Sequence, residues 1–192
     1  MKTLRWIIGL LLIVFLTGNQ VFAQDTGLQK KQKLTRAEKK QLKEEAAKAD
    51  WEKIVEMAKT KQFVFEANYL YSNNGTVTLN PTTNFLLVNG DDAVLQISLM
   101  NLEGVPTRND IGGITAKCTV IKYSYHADDY KKPVTISVTA RPLAGQGSGV
   151  YQLDLSVYSD GSGDMQMGRY NLRMNGSLKS LEKSKVFQGN TR

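Results

Sequence analysis

The sequence predicts a mainly β domain, α+β by content, in which an antiparallel meander of about eight or nine strands, behind one long charged N-terminal helix, either packs as a sandwich or, the preferred reading, closes into a barrel. Three observations predict it. Apolar residues recur with period 3.6 up to Lys61 and with period 2 from Phe63 onward. The alternating runs that follow are short, each carries one apolar row, and Asn, Gly and Asp gather between them as hairpin turns require. The single cysteine, Cys118, cannot form an intramolecular disulfide, so burial has to hold the fold.

Residues 1–23 read as a signal peptide. Lys2 and Arg5 precede an apolar run over residues 6–16, and Val21-Phe22-Ala23 places small residues where signal peptidase cuts. The run is about half the roughly 20 residues of a membrane span, so no membrane span is expected. Gln24 follows the cut where an acylated lipoprotein would carry cysteine, which predicts an unanchored periplasmic or secreted product. The rest divides into a polar segment with the helix (24–61), an antiparallel β domain (62–183) and a polar tail (184–192).

Of the formal charge of +7, most sits before the sheet, because residues 24–61 hold eleven Lys or Arg against seven Asp or Glu. A phosphate-binding face needs its cations on a folded platform with aromatics between them, so no nucleic-acid partner is expected.

Thr35-Arg36-Ala37-Glu38 is a capping box, and a helix of roughly 25 residues should follow. Lys40, Glu44, Lys48 and Glu52 form an alternating i, i+4 column, while Ala47, Trp51, Ile54 and Ala58 share a narrow face edged by Val55 and Met57. Only the second half can dock; the first reads as a solvated spacer or a partner-binding arm.

In the first strand Phe63, Phe65, Ala67, Tyr69 and Tyr71 should face one way. Ser72-Asn73-Asn74-Gly75 turns the chain into residues 76–79. Residues 85–88 are apolar on both faces, as if lying under the docked helix. Asn89-Gly90-Asp91-Asp92 is a second turn, and Ala93, Leu95, Ile97 and Leu99 then oppose Gln96 and Ser98. The row Ile114, Ala116, Cys118, Val120 changes phase to Ile121, Tyr123 and Tyr125, which marks a bulge. Residues 134–140 and 151–157 alternate cleanly. Residues 160–164 turn the chain into a last pair, 165–173 and 176–181, joined at Asn175-Gly176. Inward rows of Leu, Ile, Val, Phe and Tyr are opposite to an outer-membrane barrel, whose apolar row faces lipid.

The helix running into Phe63-Val64-Phe65-Glu66-Ala67, the strand Val77-Thr78-Leu79, the block Asn84-Phe85-Leu86-Leu87-Val88-Asn89-Gly90-Asp91 and the closing Tyr170-Asn171-Leu172-Arg173-Met174-Asn175-Gly176-Ser177-Leu178 resemble the family catalogued as domain of unknown function 4251, over about residues 45–183. The resemblance implies exported proteins of Gram-negative bacteria with a lipocalin-like antiparallel topology, and it implies no catalytic residues. This chain departs from it at Ile97-Ser98-Leu99-Met100-Asn101-Leu102-Glu103-Gly104, where related chains carry an acidic, proline-containing strand and a Gly-rich loop.

One histidine and one cysteine are too few for a zinc site, and no metal or cofactor is expected. Cys118, on an apolar row, reads as a small core residue. His126, Asp128 and Asp129 could form an acid/base cluster, but a strand-end turn also needs them. Asp160-Gly161-Ser162-Gly163-Asp164 opens like a calcium loop and then fails at Met165 and Asn171. Gly145-Gln146-Gly147-Ser148-Gly149 lacks the phosphate-loop lysine. Asn74-Gly75-Thr76 and Asn175-Gly176-Ser177 match glycosylation sequons but coincide with expected turns. Arg169 and Arg173 share a strand face and suit an anion or plain solvation.

The expected function is a non-enzymatic periplasmic binding module for a small apolar or amphipathic ligand, with Tyr69, Tyr71, Tyr123, Tyr125 and Tyr151 near the pocket because tyrosine joins an apolar face to a polar handle. The alternative is an envelope protein-interaction module using the helix or a strand edge; a hydrolase-type enzyme ranks last.

Overall fold

The computed structural model describes residues 35–72, 75–98, 113–146, 149–168 and 172–189. The expected signal peptide (1–23), residues 24–34, Asn73, Asn74, residues 99–112 with most of the 97–104 departure, Gly147, Ser148, residues 169–171 and residues 190–192 lie outside them. The helix forms as its sequence dictates: α1 spans Arg36–Thr60, the Thr35 hydroxyl accepts from the Glu38 N–H at 3.3 Å, and the Glu38 carboxylate accepts from the Thr35 N–H at 2.7 Å. Residues 35–46 are exposed, whereas Ile54 and Ala58 are buried with Trp51, Val55 and Met57 packed beside them.

Among the described residues nine strands follow: β1 (Gln62–Ser72), β2 (Gly75–Thr78), β3 (Phe85–Asn89), β4 (Asp92–Ser98), β5 (Gly113–His126), β6 (Val134–Pro142), β7 (Tyr151–Val157), β8 (Ser162–Met167) and β9 (Leu172–Lys179). All pairings are antiparallel. The order β1-β3-β4-β5-β6-β7-β8-β9 returns to its start because β9 pairs with β1, giving a closed eight-stranded barrel. The extra strand β2 lies beside the far half of β1, in line with β3.

Two bulges correct the predicted rows. In β1 the register slips between Ala67 and Tyr69, so Leu70 follows Ala67 into the interior and Tyr69 and Tyr71 turn outward, 43% and 40% exposed. One extra residue exchanges the faces of everything beyond it. In β5 the slip falls between Val120 and Lys122; the expected bulge is present, but Ile121 is the bulged residue itself and is exposed, while Tyr123 resumes the inward row. The predicted last turn is also displaced. Asn175 and Gly176 sit inside β9, opposite Tyr69 and Ala67. Glycine is needed there for closeness: a Cβ on Gly176 would lie 2.1 Å from the Glu66 carbonyl oxygen.

An eight-stranded barrel is just wide enough for side chains to fill it. One continuous apolar cluster lines this interior, in register rows such as Leu178, Phe65, Leu86, Leu95, Ala116 and Leu70, Met174, Met165, Leu155, Ile136. The end of α1 enters this cluster through Ile54 and Ala58. Two hydrogen bonds and a left-handed cap hold that end. The Tyr123 hydroxyl donates to the Ala58 carbonyl, Lys61 ends the helix at φ 56°, and the Gly90 N–H donates to the Lys61 carbonyl at 2.9 Å. The Lys61 ammonium reaches Asp91 at 3.0 Å and lies 5.4 Å from the Tyr123 ring centre, which offsets a left-handed cap that glycine normally takes. The Trp51 indole N–H is buried without an acceptor among the described residues.

The second apolar face of β3 is covered by the chain after β9, not by the helix. Phe85 and Val64 point out of the barrel yet are 2% and 0% exposed. Residues 180–189 cross this outer face: the Phe187 N–H donates to the Thr82 carbonyl at 2.8 Å, and the Ser184 hydroxyl to Glu66 at 2.7 Å. The predicted polar tail is thus partly a cover.

Gly176→Ala should cost about 3 kcal/mol in urea unfolding, because the new methyl meets backbone that the closure holds in place. Gly90→Ala, at φ 65° with open space around its Cβ position, should cost about 1 kcal/mol from left-handed strain alone; equal costs would show that the β1–β9 seam yields. Burial raises the Cys118 thiol to about 11. Thiol labelling at pH 8 should therefore run at least about a hundredfold slower in the native than in the denatured chain. The unfolded thiol releases its proton near 9 and the folded one near 11, so stability should fall across that interval as pH rises. Cys118→Ala should flatten the fall.

Candidate functional site

Three of the five tyrosines, Tyr123, Tyr125 and Tyr151, lie on inward rows of the barrel, and Tyr69 and Tyr71 lie outside it. Tyr123 is half-buried in the barrel with its hydroxyl tied to Ala58, and desolvation pushes its ionisation well above the usual tyrosine range. Tyr151 is buried in the interior, in register with Ala140. Tyr125 occupies the inward row near the end of β5, yet is 41% exposed. Tyr69 and Tyr71 are outside, for the bulge reason given above.

Their outer position creates a different cluster. Tyr71 is opposite Arg173, whose guanidinium lies 5.9 Å from the ring centre and donates to Asp164 at 3.0 Å. Bonding to Asp164 first, and its charge second, raise the Arg173 pKa. Tyr69 is opposite Asn175, which donates to the Gly163 carbonyl at 3.1 Å and to Asp164 at 3.3 Å. A surface of exposed tyrosine beside arginine has the composition of protein-binding hot spots.

The turn candidates take ordinary places. His126 and Asp128 meet at 2.8 Å and Lys132 joins Asp128 at 3.0 Å, but the imidazole is 73% exposed and the trio sits on the open β5–β6 connection. Bonding from Lys132, then the charge of His126, holds the Asp128 carboxyl below its usual range. Asp160 accepts from the N–H and hydroxyl of Ser162, which lowers its pKa and closes the turn, while Asp164 belongs to β8. Among the described residues no group of three or more His, Cys, Asp and Glu is placed to hold a metal ion. No helix among them is long and apolar enough to cross a membrane.

Alternation alone missed a buried polar row outside the barrel. Ser177, Glu66, Phe85, Gln96 and Thr115 are in register across β9, β1, β3, β4 and β5. Glu66, Gln96 and Thr115 are 4%, 1% and 5% exposed. Glu66 takes Lys179 on one oxygen and Ser184 on the other. The Gln96 amide donates to the Thr83 and Phe187 carbonyls at 3.0 and 2.8 Å and accepts from the Thr115 hydroxyl and Gly189 N–H at 3.0 and 2.8 Å. Beside it the Asn84 amide donates to the Asn80 carbonyl and accepts from the Ser98 N–H. The available signal was Phe85 and Leu87, an apolar outer pair that has to be covered.

No curated protein matches this chain significantly. Its architecture is similar to the crystal structure, at 1.95 Å resolution, of a DUF4251 family protein from Bacteroides eggerthii DSM 20697: TM-score 0.55 and 25% sequence identity over 71% of this chain and 91% of that one. The family model described as domain of unknown function (DUF4251) matches residues 45–178, from the docking half of α1 through β9. The chain belongs to the DUF4251 family.

Proposed function

We propose that this protein is a non-enzymatic module of the bacterial envelope that engages a protein partner through the outer surface of its barrel. The observation that carries the reading is the low exposure of the inward rows. A void large enough for a ligand would leave accessible surface on the side chains lining it, yet Phe65, Ala67, Leu86 and Ala116 are 0% exposed and Ala140, Ile136, Leu153 and Met174 are 1%. This favours the interaction module over a small apolar ligand held inside. Tyr69, Tyr71 and Arg173 supply a candidate contact surface, and the leader read in residues 1–23 supports an envelope location. No acid, base and nucleophile converge among the described residues, which supports a non-enzymatic role.

Ala67→Leu and Ala140→Leu should each destabilise by about 1–3 kcal/mol through overpacking. Native mass spectrometry of the exported chain should show a bare protein beginning at Gln24. Tolerance of both substitutions together with a retained small molecule would return the function to the interior. Replacing Tyr71 and Arg173 by Ser should leave the melting temperature within about 2 °C, as for other surface changes. The same pair should abolish partner capture by a photo-crosslinker at position 69; undiminished capture removes this surface from the reading.

A further inference from the structure

Residues 184–189 cross the row formed by Glu66, Phe85, Gln96 and Thr115. Main-chain groups make most of the described contacts. The Phe187 N–H donates to the Thr82 carbonyl, the Phe187 carbonyl accepts from Gln96 Nε2, and the Gly189 N–H donates to Gln96 Oε1, each at 2.8 Å. The side chain of Phe187 is 61% exposed and adds little.

A strand in a parallel pair bridges the carbonyl of residue i−1 and the N–H of residue i+1 on its neighbour. The Gln96 amide does the same around Gln188, standing in for a strand edge. Its orientation is fixed from below, because the Thr83 carbonyl takes the other N–H and the Thr115 hydroxyl donates to the oxygen. The amide therefore presents one donor and one acceptor outward at a fixed spacing. Glu66 adds a carboxylate oxygen for a hydroxyl three residues before the carbonyl that Gln96 binds, the place taken by Ser184.

We infer that this groove is a recognition site for an extended segment of a partner protein, carrying a small hydroxyl residue three positions before the bonded carbonyl and an unblocked N–H two positions after it, and that residues 184–189 are its resident competitor in cis. Backbone recognition is indifferent to which chain supplies the backbone, and the seated segment defines the hydrogen-bond pattern that the partner must match. The inference rests on the protein-partner reading and gives it a second surface, separate from Tyr69, Tyr71 and Arg173.

The probe is a synthetic peptide of residues 182–189 added to the full chain. Ser184→Asp in the protein sets a carboxylate against Glu66 and weakens the cis segment without altering the groove, so this variant should bind the peptide at least about tenfold more tightly than wild type. Methylating the peptide nitrogen of Gly189 removes one donor and should lower affinity about tenfold. Gln96→Leu should abolish binding. Slow Cys118 labelling confirms that each variant is folded. Should Ser184→Asp not fold, the wild-type chain still decides: the backbone amide resonances of an isotope-labelled peptide should shift on adding the wild-type chain in excess, and those of its methylated form should shift far less.

Equal binding of the two peptides, or none to a folded Ser184→Asp variant, overturns the inference. A concentration-dependent dimer that the peptide dissolves would make the occupant a second copy and overturn it as well. None of these results depends on whether the barrel interior accepts a ligand or on the Tyr71–Arg173 surface, so the two readings can fail separately.

Discussion

Closure of the sheet between β1 and β9 is the constraint on which the other features depend. An open sheet of this length would leave two unpaired edges and an apolar face without a partner, whereas pairing the first strand with the last removes the edges and turns the face inward. β1 carries the greatest burden, serving β9 along one edge and β3 then β2 along the other. It meets that demand by bending at the Ala67–Tyr69 bulge, and β9 meets it by having no side chain at Gly176 where the Glu66 backbone comes closest. The bend that closes the barrel is also what turns Tyr69 and Tyr71 out to solvent.

Closure leaves an open end, and α1 supplies its cover. Because the helix runs directly into β1, its last two turns are delivered to the barrel with little loop-closure entropy to offset. Ile54 and Ala58 enter the interior cluster, and the Tyr123 hydroxyl donates to the Ala58 carbonyl, a helix-end acceptor that the Lys61 N–H reaches only at 3.4 Å. The first half of α1 has no apolar face to bury and stays exposed, which agrees with the alternating charges along it.

On the outside the apolar residues of β3 had to be covered as well, and residues 180–189 do so together with a polar row. Burying a carboxylate and two amides beneath a backbone segment is costly unless every group is bonded. Here Glu66 has Lys179 and Ser184, and the Gln96 amide has four partners. Such a network stabilises little beyond its hydrophobic neighbours, but it accepts only a segment whose donors and acceptors fall in register.

Period and turn chemistry made the helix, its N-terminal capping box, the succession of strands and the inward rows of β4, β6 and β7 legible, because each depends on residues close in sequence. The placement of Cys118 and the bulge in β5 followed from the same alternation. What lay beyond it was set by contacts between distant segments. Asn175-Gly176 has the composition of a turn and became mid-strand because β1 requires glycine opposite its bulge. Tyr69 and Tyr71 continue an apolar row in the sequence and left it because the register slips. Glu66, Gln96 and Thr115 read as solvated strand residues until the chain after β9 folded back over them. Local patterning thus determined which elements exist, and the tertiary structure alone decided which faces meet water, since closure and coverage depend on partners far away in the chain.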